Sequence, residues 1–490
     1  MMKSLPTTLA AGYLAIAVQT LTGLIFIPFL LSEDGVGLAG FAAIATLQAA
    51  AGLITFFFDG YRQYAARAIA LATHNGDRDV LHSIFFFTLL SAAAAVVLWL
   101  MVWPFVYELI GMQMGDIIAA SLFAVAYVVA EQLAYVLECH EHALKRSWIP
   151  SSLGGLDSLF RAVLTVILFK AFSASVSQFF LAAFVGQVAK LGILFWLSPL
   201  EVSVRDGKWV DRMGAQYDAF VNSLPLALNG IAPYVVFRGG VILASVALVG
   251  EQAGVVAIIL VTLRTYINQG LFSVLRPMLI PRLALVDIRD RTSTAYQKLN
   301  LYLDLFQVFT LFVGIWAVVS TPWWFSLWLG LSVEEYVGLA QVAVAVYFLE
   351  IAYGVQYFCL LAHGHGRSLA LLTGGFALLA TACTAIGTYY SSTAAFSVGP
   401  VMAYVLSYVV AVRLAFGKHF DFSLQQSDIS SGLFVVALSA GIGIAAMVKG
   451  GGLLSPLLAG ALFWGLSHAV GIRISLARHF PGWKREAVDI

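Results

Sequence analysis

Ile117–Cys139, IIAASLFAVAYVVAEQLAYVLEC, returns in kind as Tyr336–Phe358, YVGLAQVAVAVYFLEIAYGVQYF. Each run is long enough to cross a bilayer, and each carries one acid at the same point, Glu131 and Glu350, about 219 residues apart. Moving outward, nearly the same offset recurs in order. Ser4-Leu5-Pro6 matches Ser223-Leu224-Pro225, Glu33 and Gly37 match Glu251 and Gly254, and Pro104, Leu109 and Gly111 match Pro322, Leu329 and Gly330. Past the acids, Gly154-Gly155 matches Gly374-Gly375. These ordered matches read as two copies of one six-helix unit. An even number of spans per copy gives both copies the same orientation, related by an axis along the membrane normal, with a cavity expected between them.

Composition restricts the class independently. Of 490 residues, 61% are hydrophobic and 11% charged, and the mean hydropathy is +0.90, which excludes a soluble chain of this length. Apolar runs are centred near residues 20, 47, 92, 127, 160, 185, 232, 261, 309, 348, 379, 405, 440 and 464. That makes about 14 spans, each near the roughly 20 residues a membrane helix needs. A β-barrel would show alternating segments of about 10 residues instead. The expected fold is an all-α polytopic membrane protein with an N-terminal lobe at residues 1–217, a C-terminal lobe at 218–420 and an extra helix pair at 421–490. The extra pair either packs or forms a groove for a lipid tail.

The first run is too long for a signal-peptide core and reads as the first span. Cys139, Cys359 and Cys383 show neither metal-ligand spacing nor a disulfide pattern. Alternating the loops between two sides places most of the 27 Lys and Arg residues on the side of both termini, which makes that side cytoplasmic. The opposite loops carry Glu33, Asp34, Glu108, Asp116, Glu251, Glu334 and Glu335, near the interfacial tryptophans Trp323, Trp324 and Trp328. A net charge of +1 gives no argument for nucleic acid as a partner.

Ionisable groups within spans are the functional pointers, since each costs about 2.5–3.5 kcal/mol near the bilayer centre unless it finds a partner or a wet cavity. Glu131 shares a helix face with Tyr127 and Tyr135, and Glu350 lies near Tyr347 and Tyr357. These acids are either ion-coupling carboxylates, one per lobe, or structural partners of the tyrosines. The cations break the repeat. Asp157 and Arg161 are one turn apart, but their counterparts are Ala377 and Thr381; Arg238 aligns near Gln19 and Thr20; Lys190 also lies deep in a span, while Arg264 and Asp304 sit nearer the cytoplasmic ends. Arg161, Lys190 and Arg238 are the substrate-binding candidates, able to hold a pyrophosphate. The blander reading pairs Arg161 with Asp157 and lets Lys190 snorkel to the interface. Asp157 joins Glu131 and Glu350 among the ion-coupling candidates.

Arg62 and Arg67, with Arg276 and Arg282, either line the cytoplasmic mouth or rest on lipid headgroups. His363 and His365 lack a third metal ligand nearby. No phosphate loop, nucleophile elbow or zinc helix motif occurs, so no cofactor and no enzymatic activity are expected. A glycan polymerase or ligase would need a large outer loop, whereas the longest here are about 15 residues.

The paired lobes, the Glu33–Gly37 turn, Asp59-Gly60 with the arginine that follows, and Leu-Trp-Leu-Gly at 327–330 resemble the polysaccharide transporters of the multidrug/oligosaccharidyl-lipid/polysaccharide exporter superfamily, and within it the O-antigen or exopolysaccharide repeat-unit flippases. The resemblance covers residues 4–417, and the last pair is similar to the extra pair of lipid II flippases. It implies a V-shaped pair of bundles in the bacterial inner membrane that moves undecaprenyl-pyrophosphate-linked sugars by alternating access, often with an ion gradient. Polymerases and other polysaccharide assembly proteins would be partners. Lipid II flippases carry arginines in their first helix, whereas residues 7–31 here are uncharged. Any pyrophosphate role therefore moves to Arg161 and Arg238. A drug or cation exporter of the same superfamily is the alternative, expected to favour acidic cavity residues.

Overall fold

The computed structural model describes residues 5–75, 78–110, 114–144, 146, 148–198, 212–223, 234–248, 250–272, 294–329 and 336–362, with single positions between 393 and 412. Every regular element among them is helical. In chain order these are α1 (Leu5–Leu31), α2 (Gly37–Asn75), α3 (Arg78–Ile110), α4 (Met114–Ala143), α5 (Trp148–Ala171) and α6 (Val176–Leu197). There follow α7 (residues 212–223), a π-helical turn (Tyr234–Gly239) leading into α8 (Gly240–Ala247), α9 (Gly250–Ala257), and a second π-helical turn (Ile258–Leu263) leading into α10 (Arg264–Phe272). The last are α11 (Thr294–Leu329) and α12 (Val337–Ala362).

Seven helices among the described residues are long and apolar enough to cross a membrane, centred close to the expected spans at 20, 92, 127, 160, 185, 261 and 348. The centre expected at 47 falls in the shorter apolar stretch Gly37–Gly52, whereas those expected at 232 and 309 fall just ahead of the shorter stretches Tyr234–Ala247 and Val313–Leu329. The spans expected beyond residue 362, the extra pair at 421–490 included, lie outside the described residues apart from isolated positions. Helix α2 shows why its apolar stretch is short: its 39 residues extend about 58 Å, well beyond a hydrocarbon layer of roughly 30 Å.

Two compact units are distinguished, Met1–Val261 with Ile386–Phe396, and Thr262–Ala385 with Ser397–Ile490. The boundary expected at residue 217 falls inside α7. In the first unit, α4 packs along α6, α1 along α5, and α2 against both α4 and α9. Ile44, Leu47, Trp99, Val125 and Phe180 form one core cluster, and the Trp99 indole donates to Ser121 Oγ at 2.8 Å. The turn between α1 and α2 depends on glycine. Val36 N donates to Leu30 O at 2.9 Å, a Cβ at Gly35 would overlap the Phe29 and Leu30 carbonyls, and Gly37 has φ +67°. The repeated Gly154-Gly155 has a packing role, because a Cβ on Gly155 would stand 3.2 Å from Ala15 Cα in α1.

Helix α7 docks on α2 and α3. Tyr61 donates to Gln216 Oε1 at 3.0 Å, Arg212 meets Asp79 at 2.5 Å, and Phe220 lies against Tyr61 and Phe87. In the second unit α11 packs on α12 and α10 on α12. Gly314 opens the α11–α12 contact, since a Cβ there would stand 2.8 Å from Phe348 Cβ. Gly155→Leu is expected to separate α1 from α5 and destabilise the detergent-solubilised protein by about 1–3 kcal/mol, read as a lower melting temperature by intrinsic fluorescence.

Candidate functional site

The interior of the first unit gathers four of the six substrate-binding and ion-coupling candidates on three helices. Asp157 and Arg161 on α5 form the ion pair that their one-turn spacing allows, with Nη2 2.9 Å from Oδ2. Arg161 Nη1 also donates to the Tyr127 hydroxyl of α4 at 3.3 Å, and the guanidinium lies 5.6 Å from the centre of that ring. Helix α6 makes room for this pair at Gly186, where a Cβ would stand 2.6 Å from Arg161 Cγ and 2.8 Å from Asp157 Oδ1. One turn further along α6, Lys190 meets Glu138 of α4 at 2.5 Å. Lys190 is therefore held across the helix interface, with its side chain only 14% exposed.

Glu131 stands apart from these pairs. Its tyrosine neighbours turn elsewhere: Tyr127 to Arg161, and Tyr135 to Arg62, whose carbonyl accepts from its hydroxyl at 3.5 Å and whose guanidinium lies 4.6 Å from its ring centre. Among the described residues Glu131 makes no ion pair. With all groups ionised, Glu131, Glu138 and Asp157 outnumber Arg161 and Lys190 by one negative charge. Several buried polar atoms here, Gln132 Nε2, Gln187 Nε2 and Asp157 Oδ1, have no hydrogen-bond partner among the described residues. Buried polar atoms of this kind call for a further partner, the role that ordered water fills in most proteins. Toward the end of α4, Glu141 is fully buried and accepts a hydrogen bond from Ser198 Oγ.

Arg238 occupies a different place. It lies on the π-helical turn Tyr234–Gly239 and donates from Nη1 to the Gln48 carbonyl of α2 at 3.1 Å. Gly52, one turn beyond Gln48, uncovers that carbonyl; a Cβ on Gly52 would stand 3.2 Å from Nη1. No carboxylate pairs with Arg238 among the described residues. The structure thus brings Arg161 and Lys190 into one interior, each beside an acid, and places Arg238 against α2 with no carboxylate partner among the described residues.

In the second unit Glu350 is locked rather than poised. Arg264 grips it with two hydrogen bonds, Nη2 to Oε1 at 2.6 Å and Nε to Oε2 at 3.2 Å, a planar fork that fits a carboxylate. Tyr404 and Tyr408 stack on each other, and Tyr408 lies against Tyr357. Arg67 lies on α2, while Arg276, Arg282, His363 and His365 fall outside the described residues. Among the described residues no group of three His, Cys, Asp or Glu side chains could hold a metal, and the buried Cys139 and Cys359 form no disulfide there.

Sequence reasoning missed Glu138, Gln48 and Gly52. Glu138 follows Glu131 by two helical turns and so shares its face, a signal that was available. A backbone carbonyl carries no such signal. Glu350→Gln is expected to cost about 3 kcal/mol or more by stranding Arg264, read as a lower thermal midpoint of the purified protein. The double change Arg264→Leu with Glu350→Leu is expected to cost less than either single change.

No family model matches the sequence, and no curated protein matches it. Solved structures do. A lipid II flippase, MurJ, in an inward closed conformation matches with TM-score 0.67 at 12% identity, covering 94% of this chain and 98% of that one. A point mutant of the Vibrio cholerae MATE transporter VcmN matches with TM-score 0.54 at 14% identity, covering 86% and 98%. An inward-facing multidrug resistance MATE transporter of the MOP superfamily matches with TM-score 0.51 at 14% identity, covering 88% and 94%. These neighbours are transporters or flippases, and the chain has the fold they share.

Proposed function

We propose that this protein is a flippase that carries undecaprenyl-pyrophosphate-linked oligosaccharide repeat units from the cytoplasmic to the periplasmic leaflet of a bacterial inner membrane by alternating access. The observation that carries the reading is Arg238, a part-buried span cation balanced among the described residues by a carbonyl alone. A membrane protein retains such a group at a cost of a few kcal/mol, and an anionic headgroup would offset that cost. A pyrophosphate suits a guanidinium because two oxygens can meet two N–H groups at once. Arg161 is the secondary contact: its side chain is 30% exposed although Asp157 already neutralises it. The likeness of fold to a lipid II flippase supports a lipid-linked cargo.

In this reading the lobes are residues 1–217 and 218–420, the termini are cytoplasmic, and residues 421–490 add a helix pair. Membrane lipids hold the polyprenyl tail, and polysaccharide assembly proteins, a polymerase among them, receive the sugar. Glu131 is the coupling acid, preferred to Glu350 because Arg264 already holds the latter. The excess of acid within α4–α6 favours a second reading, a drug or cation exporter, which the MATE neighbours also fit.

Arg238→Gln is expected to reduce surface glycan at least tenfold at normal protein abundance in membranes, measured by glycan blotting of cells that depend on this gene. Unchanged glycan would remove the anion site. Glu131→Gln is expected to abolish gradient-driven transport in proteoliposomes, whereas Glu350→Gln retains it in the protein that folds. Saturable binding of a cationic dye by the purified protein, with no binding of undecaprenyl pyrophosphate, would favour the exporter.

A further inference from the structure

Helix α2 meets the segment 234–257 along a seam that joins the first sequence copy to the second. At one end, a Cβ on Gly250 would stand 3.0 Å from Ala39 Cβ, and a Cβ on Gly254 would overlap the Leu38 carbonyl, so two backbones approach closely beside the turn at residues 32–36. Further along, Thr46 Oγ1 and Ser245 Oγ share a hydrogen bond of 2.5 Å. The Tyr234 hydroxyl donates to the Ala49 carbonyl, and Arg238 donates to the Gln48 carbonyl at 3.1 Å. The seam is built of small side chains and single hydrogen bonds, with no ion pair across it among the described residues.

The strongest single tie is also the one a ligand can take away. A guanidinium has five N–H donors, and a phosphate oxygen is a better acceptor for them than a carbonyl whose lone pairs already serve a helix. Gly52 leaves room for the Arg238 side chain beside the Gln48 carbonyl, since a Cβ there would stand 3.2 Å from Nη1, and the contact is lost when that side chain swings. The π-helical geometry at Tyr234–Gly239 marks a place where helical register is already interrupted.

We propose that this seam is a gate and that Arg238 is its anion-released latch: a pyrophosphate headgroup draws the guanidinium from the Gln48 carbonyl and frees segment 234–257 to part from α2. This rests on the anion-site reading above and adds to it a way in which cargo binding triggers opening. An empty carrier keeps the latch closed, so the seam does not part without cargo. The tyrosine and hydroxyl contacts then act as a weaker second tie that reseals the seam after release.

The test uses the full chain in lipid nanodiscs, with Cys139, Cys359 and Cys383 replaced by Ala and spin labels on Glu33→Cys and Glu251→Cys, both exposed at the end of the seam. Pulsed dipolar spectroscopy reads the distance between labels, and native mass spectrometry on the same samples reads binding of undecaprenyl pyrophosphate, with undecaprenyl monophosphate as control. Without ligand, Arg238→Gln is expected to shift the closed-to-open ratio about tenfold, the effect of losing one charge-assisted hydrogen bond. Gly52→Ala, which keeps the Arg238 charge and crowds the guanidinium, is expected to shift it in the same direction, and provides a reading if Arg238→Gln folds poorly. Bound undecaprenyl pyrophosphate is expected to open the seam in the wild-type background. Pyrophosphate bound with an unchanged distance overturns the latch and leaves the anion site standing. No binding at all, with the seam still loosened by Arg238→Gln, overturns the anion reading and the release step together.

Discussion

A charge inside a bilayer must be met by something, and how each one is met orders this structure. Lys190 is met across a helix interface by Glu138, Arg264 by Glu350, and Arg161 by Asp157 one turn away on its own helix. Each pair cancels most of its own field and fixes position: α6 is tied to α4, and α12 to α10. Arg238 is met by a peptide dipole. A dipole partner leaves a net charge of one unit in place, so among the described residues the field of Arg238 is the least cancelled of the four.

Glycine makes these arrangements possible. A guanidinium on a flexible stem can lie flat against a helix only where that helix presents no side chain, and the two arginines singled out as ligands both do so, Arg161 over Gly186 and Arg238 over Gly52. The same device lets helices approach without polar groups, as at Gly155 on Ala15. Lipid offers no hydrophobic drive to hold helices together, so close backbone approach and buried polar contacts supply the cohesion.

What could be read from the sequence follows from how far apart the relevant residues lie. The helices were legible because apolar length and the repeated offset are local or additive signals, and the α1–α2 turn was legible through Glu33 and Gly37. The Asp157–Arg161 pair was legible because i and i+4 share a face. Partners on different helices were not: Lys190 lies 52 positions beyond Glu138, and Arg264 lies 86 before Glu350. Their meeting depends on the register of one helix against another, which hydropathy does not encode. Tyr127 and Tyr135 show the same limit, since a shared face with Glu131 did not decide which partner each hydroxyl took.

The repeat then explains why its two acids have different fates. The position about 219 residues before Arg264 falls at Ala45, which is buried and offers no charge. Among the described residues Glu350 therefore has a paired cation and Glu131, in matching register, forms no ion pair. Arg238 inverts the pattern, because its counterpart region holds Gln19, whose amide would stand 3.2 Å from a Cβ on Gly154 and so serves the α1–α5 contact. Divergence at these two positions leaves the first copy with an acid and the second with a cation that form no close ion pair among the described residues. A symmetric pair of bundles would carry its load and its counter-ion on equivalent surfaces, where they would compete. The divergence instead keeps them apart, the acid on α4 and the cation on the turn before α8, so that neither neutralises the other.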